Sequence, residues 1–241
     1  MMEKYILNPD RLPGEKKLPP LGLLFVNPGD ARAAVSFVKA AGGRKHFFYN
    51  SSLCVNAAKS FFVAGPGVGA PMAVMALEKL IALGAKRIYL LSCCGVLDEE
   101  LTVGDLLIGG KAFCGEGTSG YYSKDSQFLP SQRAAARLQA GLDLQHLKAC
   151  HGSLWSTDAP YREARSMLDE FKKRGVIGVD MEYSALCCVA ACRGIDFGGL
   201  FLVSDELWRT PWKAGFSQPV YKKMNVKIRS LLLQLAENGS L

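Results

Sequence analysis

The segment from Ser60 to Ser92, SFFVAGPGVGAPMAVMALEKLIALGAKRIYLLS, decides the fold. Its apolar start, SFFVAG, predicts a buried strand, and the glycines that follow permit a tight turn into a helix. MAVMALEKLIAL has the apolar content and length of that helix, and Gly84 is positioned to end it. RIYLLS then predicts a second strand. A strand, a helix and a strand in this order are typical of an α/β sheet.

The rest of the chain repeats this alternation. LGLLFV predicts a buried strand that ends at a turn, NPGDAR, before the helix AAVSFVKAA. LTVGDLLIGGKAFC predicts a hairpin-like run. TDAPYREARSMLDEFKKRG predicts a helix that is capped at Thr157 or Asp158 and ends at Gly175. GGLFLVSDE predicts a strand of continuous apolar residues that ends in polar ones.

These segments predict one α/β domain over residues 1–241, with a central mixed sheet flanked by helices. Residues 1–20 form an N-terminal extension, and residues 217–236 form a C-terminal helix. In such folds ligands bind beyond the carboxyl ends of the strands. Three candidate side chains directly follow predicted strands at that edge: Arg32, Cys93 and Asp205.

The composition is that of a globular protein with an excess of basic residues. The formal charge is +7 and the pI is about 9.0, which suits an anionic substrate as well as nucleic acid. Lys222, Lys223 and Lys227 fall on the polar face of the C-terminal helix, which favours a solvated face over an RNA patch. We therefore expect no nucleic-acid partner. We also expect no membrane span, because no apolar run approaches the roughly 20 residues required.

The cysteines predict neither disulfides nor a metal site. The chain has 8 cysteines and 3 histidines, and no CxxC pair occurs. Free thiols in a reducing cytoplasm explain this pattern, so we expect a cytoplasmic protein without a metal or an organic cofactor. The glycine loop AGPGVGAP resembles a dinucleotide fingerprint, but the next strand ends without the acid that would hold a ribose of NAD.

Several segments, in this order, resemble the purine and uridine phosphorylase family: NPGDAR, VAGPGVGAP with ALEKLIALGAKRIYLLSCCGVL, EGTSGYY, WSTDAPYRE, GVDMEYSAL and FLVSDE. The resemblance covers residues 21–236. It implies a homo-oligomer, as a dimer, trimer or hexamer, with sites near subunit contacts. It also implies cleavage of the N-glycosidic bond of a nucleoside, with phosphate or water as the nucleophile.

Two acids match the family's catalytic positions. Glu182 matches the acid that holds the ribose hydroxyls, with Met181 packing on the sugar, and Asp205 matches the general acid that protonates a departing purine. Departure of the base builds positive charge on the ribose, so a nearby anion and a proton donor both assist it. Taken alone, Glu182 also fits an acid that caps its own helix, and Asp205 also fits a helix cap or turn residue.

The phosphate site follows the family only in part. The resemblance implies phosphate contacts from Gly29, Arg32, Cys93 and Arg44, the last lent to a neighbouring subunit. Arg44 alone also fits a solvated loop arginine. Phosphorylases commonly carry an arginine where this chain has Leu90, and a serine where it has Cys93. Family nucleosidases lack that arginine as well.

The base site combines features of both branches of the family. The candidate base contacts are Ser204, Trp155, Tyr161 and Arg162, and EGTSGYY resembles the uridine branch although Asp205 is of the purine type. Trp155 also fits an aromatic packed beneath a helix. The sequence predicts a nucleoside phosphorylase acting on a purine nucleoside or uridine. A nucleosidase of the methylthioadenosine or S-adenosylhomocysteine type and a nucleoside-binding protein without turnover are the alternatives.

Overall fold

We analysed a computed structural model, in which residues 5–49 and 51–241 are described. The described residues form an 11-stranded sheet and six α-helices. The strands are β1 (Leu21–Phe25), β2 (Arg44–His46), β3 (Ser52–Val55), β4 (Phe61–Gly65), β5 (Arg87–Val96), β6 (Leu106–Gly115), β7 (Gln127–Phe128), β8 (Cys150–Thr157), β9 (Val176–Asp180), β10 (Asp196–Glu206) and β11 (Lys213–Ala214). The helices are α1 (Pro28–Ala40), α2 (Ala70–Ala82), α3 (Gln132–Asp143), α4 (Arg165–Lys173), α5 (Tyr183–Arg193) and α6 (Pro219–Glu237).

The sheet is mixed, as the alternation of strands and helices predicts. Its strands follow the order β11-β10-β6-β8-β9-β5-β1-β4-β3-β2, with β7 on β6. β1 runs parallel to both β4 and β5, whereas β3 and β9 run antiparallel to β4 and β5. β10 pairs with β5 as well as with β6, so β5, β10, β6, β8 and β9 close into a ring. The carboxyl ends of β4, β5 and β10 meet at one edge.

Helices cover both faces of the sheet and bury two apolar clusters. Alternate residues of β1 enter opposite clusters, because successive side chains of a strand point to opposite faces. Leu24 packs with residues of α2 and α5, and Leu23 packs with residues of α1, α3 and α6. The prediction of a single α/β domain with a central mixed sheet and flanking helices is therefore confirmed.

Three local predictions are wrong. LTVGDLLIGGKAFC does not form a hairpin: from Leu106 onward it lies in one strand, β6, which pairs with the distant strands β10 and β8. Thr157 lies in β8, and α4 begins only at Arg165 after a separate 3-10 turn at Pro160–Arg162. α1 begins at Pro28, so most of the predicted turn NPGDAR is helical, since proline is well tolerated in the first turn of a helix.

The N-terminal segment runs along the outside of the sheet. The first four residues of the predicted extension lie outside the described residues. The backbone N–H of Leu18 donates to the carbonyl of Leu83, and Lys79 on α2 binds Glu15 at 2.6 Å. None of the α-helices in the described part of the chain combines the length and apolar composition that crossing a bilayer requires.

Candidate active site

Glu182 lies between β9 and α5 and is almost fully enclosed. Its side chain accepts a 2.6 Å hydrogen bond from the backbone N–H of Gly69, and the residue is 3% exposed. Burial raises the pKa of Glu182, and the negative charge of nearby Asp180 raises it further. Among the described residues, no lysine, arginine or histidine forms an ion pair with this carboxyl group. Glu182 is therefore a buried acid without a cationic partner, which is costly in a folded protein.

Asp180, at the end of β9, caps α5 in place of Glu182. Its carboxylate accepts the backbone N–H groups of Glu182 at 3.0 Å and Tyr183 at 2.7 Å. Ser156 on β8 donates its hydroxyl to the same carboxylate at 2.5 Å and accepts the N–H of Ser184. Glu182 makes no side-chain hydrogen bond to its own helix. The alternative that Glu182 serves as the cap of α5 therefore does not describe this structure.

The glycine loop between β4 and α2 brings Gly69 to Glu182. Gly69 precedes α2 and has φ +82, a backbone conformation that favours glycine. Its N–H is one of the groups at the amino end of a helix that lack a partner within the helix. The loop thus uses a free backbone donor of α2 to hold a buried carboxylate.

Cys93 lies in β5, beside the start of α1. Its Sγ atom is 3.9 Å from Oδ1 of Asn27, the residue that precedes α1. Burial is the main reason that the pKa of the Cys93 thiol is raised to about 11, and the nearby carboxyl groups of Glu182 and Asp205 contribute to this rise. The thiol is therefore protonated at neutral pH and is a poor nucleophile. Cys93 therefore lies near both candidate acids, Glu182 and Asp205.

Asp205 is held near the carboxyl end of β10 by two donors. Ser204 donates its hydroxyl to Oδ1 at 2.7 Å, and the indole N–H of Trp212 donates to Oδ2 at 3.0 Å. The pairing of β10 with β5 shifts register between Val203 and Asp205, so Ser204 is the irregular residue. Ser204 is buried, and its hydroxyl oxygen also lies 3.1 Å from the carbonyl oxygen of Cys94. It therefore positions Asp205 from inside the sheet.

A cavity of about 460 Å³ opens beside Asp205. Its lining is Pro160, Tyr161, Glu163, Arg165, Leu168, Asp205, Leu207, Arg209, Thr210 and Trp212. Burial raises the pKa of Glu163 to about 7, and the charge of Asp205 contributes. Arg165 and Arg209 do not pair with Glu163, because Arg165 donates to the carbonyl of Leu207 and Arg209 pairs with Glu206. Glu163 thus retains a proton near neutral pH beside Asp205.

The predicted phosphate residues lie around the amino end of α1. Gly29 is exposed in its first turn, and Arg32 is exposed in the next. Between them, Asp30 is buried and accepts hydrogen bonds from Asn225 at 2.9 Å and Arg229 at 2.6 Å, both on α6. Asp30 therefore fixes α1 against α6.

The remaining predicted residues are dispersed. Leu90 is fully buried in the core, on the strand where phosphorylases commonly carry an arginine. Arg44 is exposed on β2 and pairs with Val55, toward the amino end of β4 and away from Gly65. Met181 is half-buried next to Glu182.

Trp155, Tyr161 and Arg162 have three different environments. Trp155 is 4% exposed and stacks on Phe171 of α4 with ring centroids 4.4 Å apart, which matches the alternative of an aromatic packed beneath a helix. Tyr161 is 100% exposed at the rim of the cavity beside Asp205. Arg162 is exposed and does not line that cavity.

Comparison with known proteins identifies the family to which this chain belongs. Residues 21–237 match the sequence profile of the Phosphorylase superfamily, which covers most of the chain. The chain belongs to this superfamily. It is also 26% identical, over 146 residues, to the guanosine phosphorylase of Halorubrum lacusprofundi, a match that covers 60% of this chain and 61% of that protein. The chain thus matches less than two thirds of this relative's length.

Solved structures of the phosphorylase superfamily share the fold. The purine nucleoside phosphorylase of Toxoplasma gondii, solved with immucillin-H, superposes with a TM-score of 0.82 over 100% of this chain and 99% of that chain, at 20% identity. The AMP nucleosidase of Bacteroides thetaiotaomicron gives a TM-score of 0.70 over 93% and 91%, at 22% identity. At these identities the likeness concerns the fold alone.

Several residues of this superfamily member were not assigned a role from the sequence. The sequence places Asp180 beside Glu182 but does not show which of the two caps α5. That depends on Ser156, which binds Asp180, and on Gly69, which binds Glu182, and both lie far away in the chain. Glu163 ends the quoted segment WSTDAPYRE but was given no role there, and Trp212 lies in no quoted segment. For Trp212, its position shortly after the carboxyl end of β10 was the available signal.

Proposed function

We propose that this protein cleaves the N-glycosidic bond of a purine nucleoside with phosphate, releasing the free base and a pentose 1-phosphate. The observation that carries this proposal is the enclosed carboxyl group of Glu182, which has no cationic partner in the described part of the chain and lies near Cys93 and Asp205. An uncompensated acid is costly to bury, and a sugar that becomes positively charged compensates it.

In the proposed reaction, an oxygen of phosphate forms a bond to C1′ as the bond from C1′ to the base nitrogen breaks. The electron pair of that bond moves onto the base, and Asp205 donates a proton to the purine imidazole nitrogen. Glu182 accepts hydrogen bonds from the ribose hydroxyls and stabilises positive charge at the sugar, while Met181 packs on the sugar. Asp205 regains its proton from solvent for the next turnover, and Glu163, whose pKa is raised to about 7, lies beside it.

Phosphate would bind at the amino end of α1. Gly29 and Asp30 offer first-turn N–H groups there, Asn27 adjoins Cys93, and Arg32 supplies a positive charge one turn further on. We propose that Cys93 contacts phosphate as a neutral thiol. Phosphate is a co-substrate in this scheme, and neither a metal nor an organic cofactor takes part.

We propose a purine as the base, with uridine as the alternative substrate. Asp205 accepts the indole N–H of Trp212, which leaves its carboxyl group oriented at the cavity that Tyr161 and Glu163 also line. Glu163 in its neutral form offers one donor and one acceptor, which complements the ring N–H and carbonyl of a 6-oxopurine. Ser204 and Arg162 remain proposed base contacts, Ser204 through its bond to Asp205.

Hydrolysis is the second candidate, because the phosphate site lacks a cation from β5. Leu90 is enclosed in the core and Cys93 is an uncharged thiol, so β5 gives phosphate no positive charge. Water would then attack C1′, as in the nucleosidase alternative. A binding protein without turnover is the third candidate, supported by the same two residues.

One assay separates these candidates. The protein is incubated with guanosine, inosine, adenosine, methylthioadenosine and uridine, each with and without phosphate, and the free base is followed by chromatography. Release that requires phosphate supports phosphorolysis, and a purine should be released fastest. Equal release without phosphate assigns the protein to the hydrolases. Nucleoside binding without release assigns it to the binding proteins.

We further propose a cytoplasmic homo-oligomer. The eight cysteines are all unpaired, which suits a reducing compartment. A cavity of about 630 Å³ between the N-terminal segment and α2 is lined by exposed apolar side chains, including Leu7, Met75 and Tyr121, which suit burial between subunits. Light scattering after gel filtration should give a multiple of the 26.1 kDa chain mass, and a monomer would contradict this part of the proposal.

A further inference from the structure

A third cavity lies at the opposite end of β4 from the loop that contacts Glu182. It holds about 590 Å³ and adjoins the segment before β1, the end of α1 and the turn between β3 and β4. Lys59 precedes β4, whereas the loop that contacts Glu182 follows it. β4 has 5 residues, so the two sites are separated by a strand length of roughly 15 Å. The cavity is therefore distinct from the proposed active site.

The polar lining of this cavity is strongly cationic. Its basic side chains are Lys16, Lys17, Arg44, His46 and Lys59, and its described lining includes no aspartate or glutamate. In residues 5–49 and 51–241, none of these basic side chains forms an ion pair or a side-chain hydrogen bond. The carboxyl end of α1, near Gly42, contributes the partial negative charge of a helix end and no full charge. Four permanent positive charges thus face one cavity without compensation.

The pKa of His46 is sensitive to the positive charges around it. Burial lowers the pKa of His46, and the charges of Lys16 and Arg44 lower it further. Like charges that repel across a concave surface are stabilised when an anion binds between them. Binding of an anion therefore relieves the repulsion among the positive charges that line this cavity.

We propose that this cavity binds an organic di- or triphosphate, such as a nucleoside diphosphate, at a site separate from that of Glu182. A single phosphate group carries up to about two negative charges, so more than one is needed to match four cations. The volume lies within the roughly 300–1,000 Å³ of small-molecule sites. Leu18, Pro19, Val55 and Ala57 form an apolar wall on which the organic part packs.

The charge requirement is tested with matched lysine variants. ADP is titrated into the wild type, into Lys16→Gln/Lys17→Gln/Lys59→Gln, and into Lys222→Gln/Lys223→Gln/Lys227→Gln, by calorimetry at 100 mM salt. The control removes the same charge from the exposed face of α6, so the two variants differ only in location. We expect the first variant to bind ADP at least about tenfold more weakly and the control to stay within about twofold of the wild type. Equal affinities in both variants, or no binding to the wild type, overturn the proposal.

His46 provides a second, local measurement. The chain has 3 histidines, so the ring signals of His46 are assigned in an NMR spectrum with a His46→Gln variant. An anion in the cavity favours the protonated ring, so saturating ADP should raise the pKa of His46 and leave those of His146 and His151 unchanged. An unchanged pKa for His46 at saturating ADP overturns the proposal. Both measurements are independent of nucleoside cleavage, so their failure does not affect the proposed reaction.

Discussion

The carboxyl group of Glu182 accepts the backbone N–H of Gly69 at 2.6 Å, and this contact joins the starts of two helices. Gly69 directly precedes α2 and Glu182 directly precedes α5. Because Asp180 takes over the capping of α5, the carboxyl group of Glu182 is available for a ligand. The folding of β9 and the glycine loop thus produces a buried acid at a cost in stability, and this acid holds the ribose in the proposed reaction.

Glu182→Gln should separate that function from stability. We expect kcat/KM to fall at least about 100-fold, because the ionised form of Glu182 balances the developing cation and an amide cannot ionise. The raised pKa of Glu182 means that the folded protein loses stability as pH rises from the ordinary glutamate range toward that raised pKa. The variant should therefore unfold at an equal or higher temperature than the wild type at alkaline pH.

Glu170→Gln is the matched control, because Glu170 is exposed on α4. It should leave both the kinetics and the unfolding temperature unchanged. A Glu182→Gln protein with wild-type kinetics would refute the role of Glu182. A large loss of stability would instead make Glu182 a structural residue.

Trp212→Phe tests whether the orientation of Asp205 matters. The variant removes the indole N–H that donates to Asp205 at 3.0 Å while keeping an aromatic ring. Loss of one hydrogen bond that orients the Asp205 carboxyl group should lower kcat for a purine nucleoside about tenfold. Trp208→Phe is the control, since the Trp208 indole donates to the carbonyl of Leu101 instead. Equal effects of the two substitutions would mean that the Trp212 hydrogen bond has no specific role.

Glu163→Gln should change the pH profile of the reaction. The pKa of Glu163 is raised to about 7, so its proton is present below that pH and is lost above it. We expect the wild-type rate to decline as pH rises through 7. The variant should be about tenfold slower at pH 6 and should show little further change up to pH 8. A variant that keeps the wild-type decline would assign the titration to another group.

Cys93→Ser should strengthen phosphate binding. A hydroxyl is a better hydrogen-bond donor than a thiol, and one neutral hydrogen bond contributes about 1 kcal/mol. We expect the KM for phosphate to fall about fivefold, with little change in the KM for the nucleoside. Cys192→Ser, at an exposed thiol of α5, is the control. An unchanged KM for phosphate in Cys93→Ser would remove Cys93 from the phosphate site.

Local patterns in the sequence predict the layers of this fold well. LGLLFV and SFFVAG are continuous apolar runs because β1 and β4 are buried on both faces, and such runs are typical of central parallel strands. The closure of the ring is not predictable from these runs. It depends on β10 pairing with both β5 and β6, which are distant in the chain. The same dependence on distant partners explains why a hairpin was wrongly predicted at β6.

The sequence likewise predicts some residues of the candidate site and not others. Glu182 and Asp205 lie within recognisable segments, so their positions were predictable. The roles of Asp180 and Glu163 depend on neighbours from other elements, namely Ser156 for the first and Asp205 for the second. Trp155 was assigned to the base, but its ring is stacked on Phe171, a contact that no local pattern encodes.

The central claim is that phosphate, and not water, attacks C1′. The most direct test is phosphorus-31 NMR of a reaction with guanosine and inorganic phosphate, together with chromatography of the base. The account predicts a new sugar-phosphate resonance that grows in equal amount with free guanine, and no guanine when phosphate is omitted. Guanine released at the same rate without phosphate, with no new phosphorus resonance, would contradict it.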